Sequence, residues 1–518
     1  MLYTDFLSLS ARRVPDKMAL VAGERTMSYA ELDAAANQLA NALLDLGLPQ
    51  GARVAIQSTN CLEYPIAYFA AARAGYVSAH ISARSTANDL AFMLNKVRAS
   101  VLFVDVEREP IANEALVKLA EPCRVIVLGR QSPMSTTHGR QLTFEQFVAD
   151  HPTTHPPTKV EETDPCAITF TGGTTGFPKG VLVTHRARAV TAHAAMVHFG
   201  WNETDVVCTA TPLFHAAGLF VVFIPAIALG TTVILQTAWD VPEFMANTQR
   251  HGVSATLLVP SQLNDLICHP EFSAANLASL SKVGYAGAPM SKALFDRVRA
   301  ALPRVGFTEN YGQTETGPLT VRAPWHPESK VATAGRPAFN VELDVLDPHG
   351  NPLPRGEVGE LVTRGAHIFA AYYDEPEQTA AAFRTHDNWL WTGDLGFIDA
   401  EGYVTVVDRS KDMLISGGEN VYPAEIENAL YQHEAVAECA VFGIPDERWG
   451  EIPAAHVVLK TGASVTEEAL ISFCTARISR HKRPRLIKFV ASLPRTPVGK
   501  IQKAVLREPY WRGRDRRI

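Results

Sequence analysis

The sequence predicts an α/β protein with a large N-terminal domain of layered α/β subdomains and a small, mobile α+β C-terminal domain. Amphipathic helical stretches alternate with short apolar runs through residues 1–409, the pattern of helices packed on mixed or parallel sheets. After Arg409 the spacing of helical and apolar segments changes. The length of 518 residues leaves room for several folding units of about 150 residues each. We therefore expect a large domain at residues 1–409 and a small domain at residues 410–518.

The alternation of segments is visible from the N-terminus onward. A helical stretch at residues 30–47 is followed by an apolar, β-branched run at residues 53–56. The same order returns with a helical stretch at residues 64–74 and strands at residues 101–104 and 124–128. Helices alternating with apolar strands favour a parallel arrangement of the strands.

One apolar segment, residues 216–235, is uncharged and long enough to cross a membrane. Gly230-Thr231-Thr232 divides it into a helical part and a β-branched part, and no basic residues flank it. We interpret it as a buried helix followed by a buried parallel strand, so the sequence predicts no membrane span.

The segments after Arg409 predict the small domain. Residues 425–433 and 467–479 have the pattern of helices, and residues 437–442 and 454–459 that of strands. About 110 residues is an ordinary size for a second domain of this kind.

The composition excludes several classes of protein. The 48 Lys and Arg residues against 54 Asp and Glu residues give a net charge of −6, whereas chains that coat nucleic acid usually have a basic excess. The seven cysteines include no Cys-x-x-Cys pair, which disfavours a disulfide framework or a zinc cage and favours the cytoplasm. The N-terminal order, with Asp5 before an apolar stretch and basic residues after it, is wrong for a signal peptide.

The sharpest local signal is the string Thr171-Gly172-Gly173-Thr174-Thr175-Gly176-Phe177-Pro178-Lys179-Gly180. It lies between two apolar runs, residues 166–170 and 181–183. Backbone N–H groups, hydroxyls and a lysine together are suited to wrapping a polyphosphate. The string is not a Walker loop, because Pro178 precedes the lysine and Gly180 follows it.

This string resembles the phosphate loop of the adenylate-forming superfamily, which includes acyl- and aryl-CoA synthetases, adenylation domains of peptide synthetases and luciferase-like enzymes. Further stretches resemble motifs of that family in its order: Tyr285-Ala286-Gly287-Ala288-Pro289, Tyr311-Gly312-Gln313-Thr314-Glu315, Trp391-Thr392-Gly393-Asp394, Asp408-Arg409-Ser410-Lys411-Asp412, Ile415-Ser416-Gly417-Gly418-Glu419-Asn420 and Pro494-Arg495-Thr496-Pro497-Val498-Gly499-Lys500. The resemblance covers almost the whole chain.

The resemblance implies an AMP-forming carboxylic acid–CoA ligase. ATP and a carboxylate would give an acyl-adenylate and pyrophosphate, and the CoA thiol would then displace AMP, with rotation of the C-terminal domain between the two reactions. ATP, Mg²⁺ and CoA, as co-substrate, are therefore the expected cofactors.

The resemblance also assigns roles to matching residues. ATP or AMP would be bound by Thr171, Gly172, Thr174, Thr175, Gly176, Lys179, Gly287, Ala288, Pro289, Asn310, Tyr311, Gly312, Asp394 and Arg409. The catalytic residues would be Lys500, His215, Thr314 and Glu315, with Glu315 as the Mg²⁺ ligand. Lys411 would be the hinge, and the CoA side of the site would contain Ser416, Gly417, Gly418 and Glu419.

The segment Pro212-Leu213-Phe214-His215 resembles the part of CoA ligases in which a histidine borders the acyl and CoA pockets. Residues 211–223 contain no aspartate that could pair with an α-ammonium, which disfavours an amino-acid substrate. The expected acyl pocket is mainly apolar: Phe214, Gly218, Val283, Gly284, Tyr285 and Ala286. It predicts an aromatic or medium-chain aliphatic acid.

Two other functions stay open at this point. The chain could load the acyl group onto a carrier protein instead of free CoA, or it could be a catalytically silent homologue that binds a nucleotide or acyl-CoA. A monomer and a homodimer are equally compatible with the sequence.

Overall fold

The structure is a computed structural model, and the residues it describes are 1–129, 135–136, 139–140, 142–171, 178–288, 290–384, 388–410, 412–416, 419–480, 482–495 and 501–512.

The α-helices of the described residues are, in chain order, α1 (Asp5–Arg13), α2 (Tyr29–Leu44), α3 (Glu63–Arg73), α4 (Ala87–Val97), α5 (Glu109–Leu116), α6 (Phe144–Val148), α7 (His185–Phe199), α8 (Ile224–Leu229), α9 (Val241–His251), α10 (Pro260–Cys268), α11 (Lys292–Ala301), α12 (Pro376–Ala382), α13 (Pro423–Leu430), α14 (Glu467–Thr475) and α15 (Lys503–Trp511). A π-helix, Ala217–Phe223, precedes α8 directly.

The strands are β1 (Met18–Ala22), β2 (Arg25–Ser28), β3 (Arg53–Gln57), β4 (Val77–Ile81), β5 (Ala99–Asp105), β6 (Arg124–Leu128), β7 (Ser135–Thr136), β8 (Gly139–Arg140), β9 (Leu142–Thr143), β10 (Pro165–Thr171), β11 (Lys179–Thr184), β12 (Val206–Thr209), β13 (Thr232–Leu235), β14 (Ala255–Leu258), β15 (Lys282–Ala286), β16 (Gly306–Gln313), β17 (Gly317–Arg322), β18 (Arg336–Pro337), β19 (Glu342–Leu346), β20 (Gly359–Arg364), β21 (Ala371–Tyr372), β22 (Leu390–Ile398), β23 (Val404–Arg409), β24 (Leu414–Ser416), β25 (Glu419–Val421), β26 (Val436–Asp446), β27 (Gly450–Leu459) and β28 (Leu486–Phe489).

Two large mixed sheets form the layers of the chain up to β18, with β21 added at one edge. The first sheet has the strand order β18-β17-β16-β15-β14-β12-β13-β1-β2, and the second has β21-β11-β10-β4-β3-β5-β6-β9. Parallel pairs run through the middle of both sheets and antiparallel pairs close most of their edges. The largest buried cluster combines side chains from both sheets with α2, α3 and the π-helix. The predicted α/β class with mixed sheets is confirmed.

Two smaller sheets follow. The third sheet, β19-β20-β22-β23, is antiparallel throughout. The fourth sheet consists of strands β24 to β28, all from residue 414 onward, with α13 and α14 contributing to its own core cluster. The division of the chain at residue 409 stays a prediction.

The apolar segment 216–235 is folded as the sequence analysis expected. The helical part of the segment, the π-helix followed by α8, ends at Gly230. The φ of Gly230 is 76°, a left-handed conformation that glycine adopts without strain. The chain then enters β13, a buried strand with parallel partners on both sides. Within the described residues, no helix combines the length and apolar character needed to cross a membrane.

Element boundaries shift in the small domain. The first predicted helix begins two residues early, at Pro423, because proline is well accommodated in the first turn of a helix. The second ends at Thr475, directly after Cys474, its last buried side chain. All seven cysteines are free thiols.

Candidate active site

The Tyr311–Glu315 motif and residues 286–288 meet at one edge of the first sheet. β15 and β16 are parallel neighbours, and their register places Ala286 beside Asn310. Gly287, just after β15, has a φ of 84°, a conformation that favours glycine. The carboxyl ends of parallel strands are the usual location of ligand sites in such sheets.

A tight connection between β16 and β17 presents Thr314 and Glu315. A Cβ atom on Gly312 would lie 2.0 Å from the Gly317 carbonyl oxygen, so only glycine fits at that position. The Thr316 hydroxyl accepts a hydrogen bond from the Gln313 N–H (3.0 Å) and fixes the turn. The sequence motif therefore has a local structural reason as well as a chemical one.

We call the residues around Asp394 the Asp394 cluster: Asp394, Tyr311, Gln313 and Arg409. Asp394 is only 3% exposed, and its Oδ2 accepts hydrogen bonds from the Tyr311 hydroxyl (2.7 Å) and Gln313 Nε2 (2.6 Å). Its Oδ1 pairs with Arg409 Nε at 3.0 Å, because the β22–β23 register sets the two residues opposite each other. The structure thus brings together three motifs that are far apart in the sequence.

Charge within the Asp394 cluster is balanced. The Asp394 carboxylate raises the pKa of Arg409, so the guanidinium keeps its charge. Burial and the same carboxylate raise the pKa of Tyr311, so its phenol stays a donor. A carboxylate offers about four lone-pair positions. On Asp394 three of these positions are taken by Tyr311, Gln313 and Arg409, which leaves about one lone pair for a ligand.

We call Glu315, Tyr372 and Lys179 the Glu315 cluster. The Tyr372 hydroxyl donates a hydrogen bond to Glu315 Oε1 at 2.9 Å, and Lys179 Nζ lies 5.0 Å from the centre of the Tyr372 ring. Lys179 begins β11, where it is paired with Thr171 at the end of β10. No sequence motif singles out Tyr372, because the residues around it in the sequence do not distinguish it from an ordinary core aromatic residue.

Glu315 has the chemistry expected of a magnesium ligand. Its second oxygen, Oε2, accepts no hydrogen bond from any described residue, so one hard oxygen donor is free. Mg²⁺ typically binds one or two protein carboxylates and takes further ligands from water and substrate phosphates. Among the described residues there is no group of three His, Cys, Asp or Glu side chains arranged for a metal ion.

A buried arginine, Arg188, interacts electrostatically with Glu315. Arg188, in the first turn of α7, is 1% exposed, and its guanidinium lies 4.7 Å from the centre of the Phe220 ring. None of its three side-chain nitrogens has a hydrogen-bond partner among the described residues. Burial lowers the pKa of Arg188 to about 10, which still leaves it charged at neutral pH, and Glu315 is close enough to act against that shift. The sequence analysis missed this residue.

His215 occupies the turn that leads into the π-helix. Its backbone N–H donates to the Pro212 carbonyl (3.0 Å), and its Nδ1 accepts from the Ala217 N–H (3.3 Å). A Cβ atom on Gly218 would lie 2.3 Å from the Pro212 oxygen, so glycine is required there for the turn. π-Helical turns are frequent at functional sites.

The predicted acyl-pocket residues of β15 lie on both faces of the first sheet. Alternation along β15 places Val283 and Tyr285 on one face of the sheet, in a cluster with Phe295 and Phe307, and Ala286 against the largest cluster on the other. The Tyr285 hydroxyl also donates to Glu309 at 2.9 Å, on that far side. Val283 and Tyr285 therefore face away from Ala286, and their place in an acyl pocket stays a prediction.

Two further residues of the predicted pocket, Gly284 and Gly218, have neighbouring atoms directly beside them. A Cβ atom on Gly284 would lie 3.0 Å from the Phe199 ring and 3.4 Å from Leu257, so Phe199 occupies the space beside this glycine. Gly218 faces backbone, as described above. The place of Phe214 and Ala286 in an acyl pocket stays a prediction, and Phe199 is the side chain beside Gly284.

Of the residues predicted for the CoA side, Ser416 and Glu419 face each other across the β24–β25 pair, with Ser416 buried and Glu419 exposed. The remaining predicted site residues lie outside the described residues: Gly172, Thr174, Thr175, Gly176, Pro289, Lys411, Gly417, Gly418 and Lys500.

Two families of known proteins match the chain. The AMP-binding enzyme family matches residues 7–373, and the AMP-binding enzyme C-terminal domain matches residues 425–500. A feruloyl-CoA synthase of Amycolatopsis sp is 34% identical over 503 residues, with 96% of this chain and 97% of the relative covered. An indoleacetate–CoA ligase of Aromatoleum aromaticum is 33% identical, with 98% and 97% covered.

Solved structures show the same relationship. The anthranilate CoA ligase AuaEII in complex with anthranoyl-AMP has a TM-score of 0.91 at 28% identity, covering 98% of this chain and 97% of that one. ATP-bound MatB from Rhodopseudomonas palustris has a TM-score of 0.88 at 29% identity, covering 98% and 99%. The chain therefore belongs to the AMP-binding enzyme family and is an AMP-forming acid–thiol ligase that uses ATP, Mg²⁺ and CoA.

Proposed function

We propose that the two clusters hold opposite ends of ATP during adenylation of an aromatic or medium-chain aliphatic acid. The chemistry of the two clusters carries this proposal. The Asp394 cluster has a buried carboxylate with most of its acceptor positions occupied. The Glu315 cluster has the Lys179 ammonium and a carboxylate with one described hydrogen bond. The Asp394 cluster has one remaining acceptor position and the Arg409 guanidinium for a ribose. The Glu315 cluster offers positive charge to phosphates and an oxygen to Mg²⁺.

The residues of the Glu315 cluster act by charge. Lys179 would attract the β- and γ-phosphates and Glu315 would hold Mg²⁺, while Thr314, the residue before Glu315, would contact the α-phosphate. When bound, Mg²⁺ neutralises phosphate charge and so favours attack by a carboxylate. His215 would border the reacting carboxylate from the start of the π-helix.

The acid class is supported by the remaining lining. Phe214, Ala286 and Phe199 are apolar, and residues 211–223 offer no carboxylate for a substrate ammonium. Relatives named for ferulate and indoleacetate are consistent with an aromatic acid. The test is a panel of acids assayed for ATP-dependent pyrophosphate release. A preference for amino acids or for charged dicarboxylates would contradict the proposal.

Phe199 gives the sharper experiment on acid size. Phe199→Ala would uncover Gly284 and enlarge the site, so longer acids should gain by about tenfold in kcat/KM relative to short ones. Ala286→Leu should have the opposite effect. Equal acid profiles for both variants and the original enzyme would place the pocket elsewhere.

Free CoA is the proposed acceptor. One relative is named a fatty acid–[acyl-carrier-protein] ligase, from Streptomyces coeruleorubidus at 33% identity, so the carrier-protein reaction is the alternative to exclude. Thioester formation with CoA alone supports the proposal. Turnover only with an added carrier protein would contradict it.

We also propose that the small domain rotates between the two reactions, about Lys411. Lys500→Ala should abolish adenylation yet still convert supplied acyl-adenylate and CoA to thioester. Gly418→Leu should do the reverse, because a side chain there would obstruct a pantetheine arm. Lys411→Pro, with φ fixed near −65°, should impair thioester formation more than adenylation. Equal damage to both half-reactions by Lys500→Ala and Gly418→Leu would exclude rotation.

A cytoplasmic location is proposed from the cysteine usage, with cell fractionation as its test. The homodimer stays a prediction that light scattering in solution would decide.

A further inference from the structure

Residues 369–373 are fastened to both large sheets. The Phe369 N–H donates to the Glu315 carbonyl at 2.7 Å, which ties the segment to the turn of the first sheet. The Ala370 and Tyr373 N–H groups donate to carbonyls of β11, at 2.8 and 2.7 Å. β21 itself pairs with β11 at the edge of the second sheet. The backbone at Tyr372 is therefore fixed between the strand that carries Lys179 and the turn that carries Glu315.

The Tyr372 side chain contacts both charged groups. Its hydroxyl donates to Glu315 Oε1 at 2.9 Å, and the Lys179 ammonium lies 5.0 Å from its ring centre. The Phe369 ring packs edge-on against the Tyr372 ring at 4.8 Å and limits its rotation.

Lys179 and Glu315 do not pair with each other. No ion pair joins their side chains in the described part of the chain, although both lie against the same tyrosine. The ammonium lies over the ring, and the carboxylate contacts the hydroxyl of the same side chain. A direct ion pair would satisfy each group and would have to be broken before either could bind a phosphate or a metal ion.

We infer that Tyr372 is a positioning residue that orients Glu315 for Mg²⁺ through its hydroxyl and holds Lys179 apart from Glu315 through its ring. The inference rests on the proposed role of this cluster in ATP binding. The hydroxyl contact leaves Glu315 Oε2 as the metal-facing oxygen, and the ring contact leaves the Lys179 hydrogens for phosphate oxygens.

Two substitutions separate the two contacts. Tyr372→Phe removes the hydroxyl and keeps the ring, so the Mg²⁺ concentration for half-saturation should rise about tenfold, while affinity for metal-free ATP stays within about twofold. Tyr372→Leu removes both contacts and should weaken metal-free ATP binding as well. The matched control is Tyr373→Phe, which removes the neighbouring hydroxyl and should leave both quantities unchanged.

The readout is binding, measured apart from turnover. Equilibrium dialysis of ATP without acid or CoA, over a range of Mg²⁺ concentrations, gives the two quantities for the full-length chain. Equal Mg²⁺ half-saturation for the Tyr372→Phe variant, the control and the unmodified protein would overturn the inference. If no acid supports pyrophosphate release while the Mg²⁺ shift is present, the proposed substrate class fails and the inference stands.

A double-mutant cycle tests whether the hydroxyl acts through Glu315. In a Glu315→Gln background the effect of Tyr372→Phe on Mg²⁺ dependence should largely disappear, because the group being oriented is no longer charged. An undiminished effect in that background would mean that Tyr372 acts on something else, and would overturn the inference. The same thermal transition for Tyr372→Phe and Tyr373→Phe without ligand would show that the effect is not a folding defect.

Discussion

At the Asp394 cluster charged groups are paired within the protein, whereas at the Glu315 cluster they are held apart. Asp394 has three protein donors and is almost inaccessible. Glu315 has one described side-chain donor, and Lys179 contacts only the face of a ring among the described side chains. The buried Arg188 guanidinium, which interacts electrostatically with Glu315, has no hydrogen-bond partner among the described residues. A carboxylate with most of its hydrogen bonds made to the protein favours a rigid binding surface. Charged groups with few partners in the protein favour the binding of an ionic ligand.

The comparison predicts that the Asp394 cluster matters more for stability. Asp394→Ala leaves the Tyr311 hydroxyl and the Gln313 amide without their acceptor, so the free energy of unfolding should fall by about 3 kcal/mol. ATP binding should be lost as well. Urea denaturation measures the first quantity. Arg409→Met, which removes only a half-exposed partner, is the control and should cost less than about 1 kcal/mol.

Glu315 is expected to matter for turnover and hardly for stability. Glu315→Gln keeps an acceptor for Tyr372 but removes the charge, so adenylation should fall by about 10²-fold. Its denaturation midpoint should match that of the original chain. Near-normal adenylation by this variant at ordinary Mg²⁺ concentrations would show that Glu315 is not the metal ligand. The two clusters would then not differ in the way described above.

Arg188 gives a test in which stability and binding change in opposite directions. Replacing a buried charge that has no hydrogen-bond partner among the described residues by a hydrophobic residue of similar length removes its desolvation cost, so Arg188→Met should stabilise the ligand-free chain by about 1–2 kcal/mol. The loss of a positive charge that interacts with Glu315 should weaken ATP binding several-fold. Destabilisation without any change in ATP affinity would show that Arg188 is a structural residue only.

The last prediction concerns the pH dependence of stability. Burial, and then the Arg188 guanidinium, lower the pKa of His367 to about 4. Because the unfolded histidine has a pKa near 6.5, the unfolded chain binds a proton between these values that the folded chain does not. Stability should therefore fall as pH decreases from 6.5 to 4, by up to about 1.4 kcal/mol per pH unit for this group. His367→Gln should make that dependence shallower in urea titrations at several pH values. An unchanged slope would exclude His367 as a contributor.

Much of the fold followed from local patterns. Alternating helical and apolar segments are sufficient to predict layered mixed sheets, because periodicity fixes which face of each element is buried. The segment 216–235 was assigned correctly from one Gly-Thr-Thr interruption and the missing basic flanks. The family and its activity could be inferred from the sequence because each motif is a short contiguous string and the motifs occur in the family's order.

Contacts between distant edges were decided by the tertiary structure alone. Tyr372 lies 57 residues from Glu315 in the sequence, and their hydrogen bond exists because β21 joins the edge of the second sheet beside β11. Phe199 reaches Gly284 only because α7 packs against β15. Propensity and periodicity act over a few residues, and they carry no information about which two edges meet across the core. The sequence by itself therefore determined the class, the order of elements and the motif residues, while the packing of sheets decided which side chains support them.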